Sequence, residues 1–169
     1  WLPADGKANL GSRTGTFARG QDYGVLDWGR GVWTYDKTWY WGTGSGQIDG
    51  VPFGLNLGYG FSDRSAATEN VIFYDNRAHK LNEVEFGIPK KPDGSYDFMK
   101  EWRITSDDGR LTGTFTPVLD RAATTDLKLI ATIQHQVFGH FNGTAVLDDG
   151  TAIAVKDFFC AVEVVHNKY

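Results

Sequence analysis

Turn signals recur along this chain at intervals that leave little room for helices. Ile48-Asp49-Gly50, Asp75-Asn76-Arg77, Pro92-Asp93-Gly94, Asp107-Asp108-Gly109 and Asp148-Asp149-Gly150 each place Asp, Asn or Gly where a tight turn needs left-handed backbone. Between them lie β-prone runs, and strands joined by such turns form antiparallel hairpins. The pattern predicts about eight to ten strands, near 32–42, 47–61, 69–75, 78–86, 97–105, 110–119, 126–141, 144–148 and 151–165. The best helix candidate, Thr124 to Thr132, is short and uncapped. Aromatic residues make up 14% of the chain and glycines 21 of 169 positions, against a usual glycine share of about 7%. Both enrichments suit strands and their bulges. An all-β domain is expected, either a closed antiparallel barrel or a two-sheet sandwich. Residues 1–24 read as an irregular arm or linker and residues 25–169 as the barrel domain.

Charge and motif content remove several function classes. The net charge is −4, and the longest basic cluster is Lys90-Lys91, set between Pro89 and Pro92. Phosphate binding needs several clustered Lys or Arg, so no nucleic acid partner is expected. No apolar run approaches the roughly 18 residues of a membrane span. Cys160 is the only cysteine and sits in the apolar run Phe158-Phe159-Cys160-Ala161-Val162, where it reads as a buried hydrophobe. A chain without an intrachain disulfide suits a reducing, cytoplasmic compartment. His135 and His140 are five apart and face opposite ways on a strand, and no zinc-type spacing occurs elsewhere. Gly42-Thr43-Gly44-Ser45-Gly46 lacks the Lys-Ser/Thr of a phosphate loop, and no nucleophile elbow or dinucleotide fingerprint is present. Neither a metal nor an organic cofactor is expected.

Residues 27–46, DWGRGVWTYDKTWYWGTGSG, hold four of the six tryptophans and five glycines. Trp39 and Trp41 share a strand face, while Trp28 and Trp33 flank a glycine turn. One pair is expected to close the barrel end as core, and another to line a cavity or a seam. Alternation in Phe53-Gly54-Leu55-Asn56-Leu57-Gly58-Tyr59-Gly60-Phe61 gives one bulky face and one nearly bare face of Gly, Asn, Gly and Gly. A bare face wastes packing unless a neighbour approaches the backbone closely. On the next strand Glu69 shares a face with Val71 and Phe73, and Asn70 shares the other with Ile72 and Tyr74. A carboxylate in such company must be paired or neutralised, by Arg64 or Arg77 in the structural reading, and otherwise is placed to act as an acid or base.

The candidate catalytic residues are therefore Glu69, Asp27 and His135. The candidate ligand-binding residues are Trp28, Arg30, Trp39, Trp41, Asn56, Asn70, Gln134, Gln136 and His140. Asp27 and Arg30 could pair around their glycine turn, with Arg30 holding an anionic or carbonyl group. Gln134, Gln136 and His140 share a face with Phe138 and would suit a polar patch in a cavity. Together these residues suggest binding of a hydrophobic or amphipathic small molecule, with or without cofactor-free hydration, dehydration or isomerisation. Rival readings are a non-catalytic carrier, a structural half of a larger protein and, ranked lower, a carbohydrate binder.

The segments DWGRGVW, TWYWGTGSG, FGLNLGYGF, SAATEN, LTGTFTP, HQVFG and the closing VHNKY, with Trp102-Arg103, resemble the domain-of-unknown-function family 2804 over about residues 22–169. That resemblance implies a chain about half the length of family members and equivalent to their C-terminal half, in keeping with a start at Trp1 rather than Met. It implies, more distantly, a lipocalin-like (calycin-like) barrel akin to carotenoid hydratase-like proteins, which pair barrel halves around hydrophobic ligands. The partners it implies are a small apolar or amphipathic ligand and an upstream barrel half or second copy.

Overall fold

The computed structural model describes residues 2–60 and 63–168; Trp1, Phe61, Ser62 and Tyr169 lie outside them. Among the described residues the chain is all-β. Nine strands form one antiparallel sheet: β5 (Asp36–Ile48), β6 (Val51–Tyr59), β7 (Val71–Tyr74), β8 (Arg77–Lys80), β9 (Val84–Gly87), β10 (Trp102–Ser106), β11 (Leu111–Asp126), β12 (Ala131–Val146) and β13 (Ala152–Lys168). The order is β8-β7-β6-β5-β13-β12-β11-β10-β9, so the first and last strands of the meander pair and the sheet curls strongly.

Four of the five expected turns join strands, and the fifth, Pro92-Asp93-Gly94, closes the isolated Lys90–Tyr96 bridge within the β9–β10 loop. Asp49 and Gly50, and Asp75 and Asn76, have positive φ at both central positions, as two-residue hairpins require. The weak helix candidate at 124–132 is the tip of the β11–β12 hairpin. Lys128 supplies its left-handed residue (φ 70°), and the Asp126 carboxylate accepts a hydrogen bond from the Lys128 amide at 2.8 Å. The two expected strands at 126–141 and 144–148 are one, β12, with a register shift between Phe141 and Gly143.

The expected closed barrel is met as a curled sheet whose edge strands, β8 and β9, do not hydrogen bond to each other. Antiparallel pairing around the whole meander requires β8 and β9 to run in the same direction. They are consecutive segments of one bent course, joined by Leu81, Asn82 and Glu83. This link stitches the seam through its own backbone. Leu81 N donates to Asn70 O (3.0 Å), Asn82 N to Asp108 Oδ2 (3.0 Å), and Glu83 O accepts from Asp107 N (2.9 Å). Arg110 adds bonds to Lys80 O and to Asp148, both at 2.7 Å.

The core fills the concave side. Trp102, Phe53, Phe115, Phe141, Ile72, Leu111 and Val137 are fully buried there. Phe86, on one edge strand, reaches across to Tyr59 and Tyr40, with ring centroids 5.4 and 6.5 Å apart. Burial of these side chains is the main source of stability, at roughly 1.5–3 kcal/mol for each large apolar group.

Residues 2–24 are not irregular. β2 (Gly6–Leu10) and β3 (Arg13–Phe17) form an exposed hairpin, and β1 (Leu2–Pro3) pairs with β4 (Tyr23–Gly24), all outside the main sheet. Local pairing gives these short runs their backbone bonds even though little of them is buried.

Candidate functional site

Strand β5 treats its two faces oppositely. On the concave side Gly42, Gly44 and Gly46 carry no side chains, and core rings take the space. A Cβ on Gly44 would lie 2.6 Å from the Phe158 ring and 2.8 Å from Cys160 Sγ, and one on Gly42 would lie 3.2 Å from Phe86. On the convex side stand Lys37, Trp39 and Trp41, paired across the ladder with Asn167, Val165 and Glu163. The clustering of the largest and smallest side chains is thus one device, glycine where the core presses in and tryptophan where the sheet faces out.

A cavity of about 350 Å³ opens on that convex face. Trp39, Trp41, Lys37 and Glu69 line it from the sheet, and Asp27, Trp28, Gly29 and Trp33 from the exposed segment 25–35. Gly31 lets the Trp33 ring lie against the loop backbone, since a Cβ there would meet it at 3.0–3.3 Å. Both tryptophan pairs therefore wall the cavity. The tryptophan that packs the core is Trp102, whose Nε1 donates to Phe98 O at 3.0 Å.

The bare face of β6 is covered by the cavity's carboxylate. Gly58 lies beneath Glu69, whose carboxylate carbon would be 2.6 Å from any Cβ at that position. Asn56 fixes the acid: its Nδ2 donates to Glu69 Oε2 (3.0 Å) and Glu69 O (3.2 Å), while its Oδ1 accepts from Trp41 Nε1 (3.1 Å). Trp41, Asn56 and Glu69 form one relay. Glu69 Oε1 carries no hydrogen bond from a described residue, and neither expected arginine pairs with the acid. Arg64 instead forms an ion pair with Glu83.

Other candidates fall elsewhere. His135 points to the concave side, where its Nδ1 lies 2.8 Å from Asp120 Oδ2 and its ring stacks on Phe98 at 3.9 Å. It does not join Glu69 and Asp27. Burial pushes the nearby Tyr59 hydroxyl up to about 12, and burial and the Tyr96 hydroxyl at 2.9 Å also raise Tyr40. Asn70 is fully buried and faces away from the cavity. Its Oδ1 accepts from Gly58 N (2.6 Å) and its Nδ2 donates to Asn82 O (2.8 Å), a structural role. Arg30 does not line the cavity, and among the described residues it forms no ion pair with Asp27. Gln134, Gln136 and His140 stand on the convex face but outside the cavity. Gln136 bonds Glu163, and His140 Nδ1 lies 2.9 Å from Asp157. Burial raises the Cys160 thiol to about 12, which leaves it inert at neutral pH.

Lys37, Gly29 and Trp33 were not among the candidate site residues, although Trp33 was read as flanking the glycine turn. Lys37 was readable, because it shares the parity of Trp39 and Trp41. No group of three or more His, Cys, Asp or Glu side chains converges among the described residues, and no helix there is long and apolar enough to cross a membrane.

Fold and site define a class: a curled antiparallel β-sheet protein with a packed concave core and a tryptophan-walled cavity on its convex face. The chain belongs to the family described as Domain of unknown function (DUF2804), which matches it over residues 1–169. No curated protein matches it, and no solved structure does.

Proposed function

We propose that the protein binds a hydrophobic or amphipathic small molecule in the convex-face cavity. The observation that carries this reading is a cavity walled by four tryptophans, two of whose lining residues, Trp41 and Glu69, are held together by Asn56 from beyond its wall. Ligand sites are mostly apolar concavities with a few fixed polar groups, typically of ~300–1,000 Å³, and this cavity lies at the small end of that range. The site stands outside the sheet and not within the barrel. The chemical form of this reading is cofactor-free proton transfer, with Glu69 as general acid or base and Asp27 as the second carboxylate. The carrier reading uses the same cavity without turnover. The test is a tryptophan-fluorescence titration against fatty acids, isoprenoids, polyphenols and oligosaccharides. A saturable change that Trp41→Ala abolishes is expected. No response from any class, or a response that Trp39→Ala and Trp41→Ala both leave intact, refutes the site.

A second reading is favoured by a separate observation. Leu119 and Phe159 are each 54% exposed on the convex face, and Phe138 stacks on Phe159 at 6.2 Å. Exposed apolar patches mark interaction surfaces. In this reading the chain is the C-terminal half of a calycin-like, cytoplasmic protein, and the patch docks the upstream barrel half. The prediction is that adding that half in trans protects Phe159 backbone amides from hydrogen exchange; unchanged exchange rules it out.

A further inference from the structure

Resting on the reading that the cavity is a ligand site, we propose that its ligand carries an organic cation, a quaternary ammonium head group held among the tryptophans and the Glu69 carboxylate. The walls are Trp28, Trp33, Trp39 and Trp41, and the indole face is the best aromatic partner for a cation. An alkylated ammonium suits such walls because its methyl groups bury against rings while its charge meets their negative faces. A neutral apolar molecule would fill the same walls but would leave the charge of Asp27 and Glu69 at the cavity unused, including Glu69 Oε1, which no described residue bonds. Against these stands one ammonium, Lys37, so the lining has a net charge of −1.

The placement of the acid is specific. Glu69 is anchored through Oε2 by Asn56 at 3.0 Å, the same amide that holds the Trp41 indole N–H at 3.1 Å. The acid and the ring are thereby fixed relative to each other before any ligand arrives, which lowers the ordering cost of binding. Gly58 is what permits this, because any side chain there would displace the carboxylate from the sheet. Lys37, two residues before Trp39 on the same face, sets the polarity of the cavity. A cation sits at the Trp41–Glu69 end, and an anionic tail, where the ligand has one, points toward Lys37.

The experiment is calorimetric titration of the full chain at matched ionic strength with choline, glycine betaine and 3,3-dimethylbutanol, the last being the uncharged analogue of choline with the same shape. Choline is expected to bind at least tenfold more tightly than 3,3-dimethylbutanol. Glu69→Gln keeps the acceptor for Asn56, and is expected to weaken choline on the order of tenfold while leaving the neutral analogue unchanged. Lys37→Gln should tighten choline and weaken glycine betaine. Equal affinity for choline and 3,3-dimethylbutanol overturns the cation assignment and leaves the cavity a plain apolar site. Absence of binding by all three probes, with circular dichroism confirming the fold, overturns the cation assignment. If the wider fluorescence panel is also silent, the ligand-site reading falls with it.

Discussion

Replacing Gly58 with alanine tests the link between the bare face of β6 and the carboxylate above it, and its sign depends on one partner. The three atoms nearest a Cβ at Gly58 all belong to Glu69, with the carboxylate carbon at 2.6 Å and Cγ at 3.2 Å. Gly58 is not among the residues with positive φ, so alanine fits the backbone, and losing glycine's extra unfolded-state freedom is worth about 0.4–1 kcal/mol in its favour. Glu69, however, must swing away and give up its bond from Asn56. A hydrogen bond to a charged group contributes about 1.5–3 kcal/mol, and the lower end applies because Glu69 is partly exposed. The two effects leave Gly58→Ala destabilising by about 0.5–1 kcal/mol. In a Glu69→Ala background the obstruction is gone, and the same substitution should stabilise by about 0.4–1 kcal/mol. The coupling is thus about 1.5 kcal/mol, well above the roughly 0.3–0.5 kcal/mol within which independent sites add. Urea or thermal unfolding of the four proteins measures it, with about 2–4 °C expected per kcal/mol for a chain this long. If Gly58→Ala has the same effect with and without Glu69, the carboxylate does not lie on that glycine and the relay is misdrawn.

Two further predictions concern the seam. Asn70→Ala leaves the buried Gly58 N without its partner, at about 1–3 kcal/mol, while Asn82 O belongs to an exposed residue and can turn to water. Hydrogen exchange should show the Gly58 amide losing protection more than the β11–β12 amides; uniform loss would mean Asn70 supports the whole sheet and not the seam. Asp108 is pushed up by burial, but bonds from Ser106, the Asn82 amide and the Arg110 amide outweigh that and hold its carboxyl below the usual range. A depressed acid contributes stability that is present above its ordinary value near ~4 and is lost as pH falls through its folded value. Asp108→Asn should therefore lower stability at pH 7 and flatten the decline below pH ~4, as read from urea midpoints against pH. An acid limb identical to wild type would assign that decline to other carboxylates.

Much of this architecture was legible because it is local. Asp49-Gly50, Asp75-Asn76 and Asp148-Asp149-Gly150 mark hairpins by the backbone they require, and each one closes a pair of strands. Alternation identified the bare face of β6 and put Trp39 with Trp41, and both readings hold. The β11–β12 tip was missed because Lys128, with no glycine or asparagine to announce it, takes the left-handed position. The grouping of His135 with Glu69 failed for a different reason. Parity within a strand says which residues share a face, but not which face of one strand matches which face of another. Between β7 and β12 lie β6, β5 and β13, and only the assembled register puts Glu69 on the convex side and His135 on the concave one.

The same limit explains why the cavity lies on the convex face of the sheet. The concave side of the curled sheet is filled by side chains, among them Trp102, Phe86, Phe115 and Phe158. Phe86 and Phe158 fit there because Gly42, Gly44 and Gly46 give up the concave face of β5. A strand with glycine on one face must draw its stability from the other, and tryptophan at 39 and 41 supplies large apolar surface there, provided something covers it. Segment 25–35 supplies only a partial cover, for Trp28 remains 77% exposed and Trp33 43%. The floor of the site is therefore fixed by the ladder and by the Asn56 relay, while the segment above it stays largely exposed. On the proposed reading, a ligand head group bound between the loop tryptophans and the Glu69 carboxylate joins segment 25–35 to the sheet, so binding should protect that segment more than the sheet beneath it.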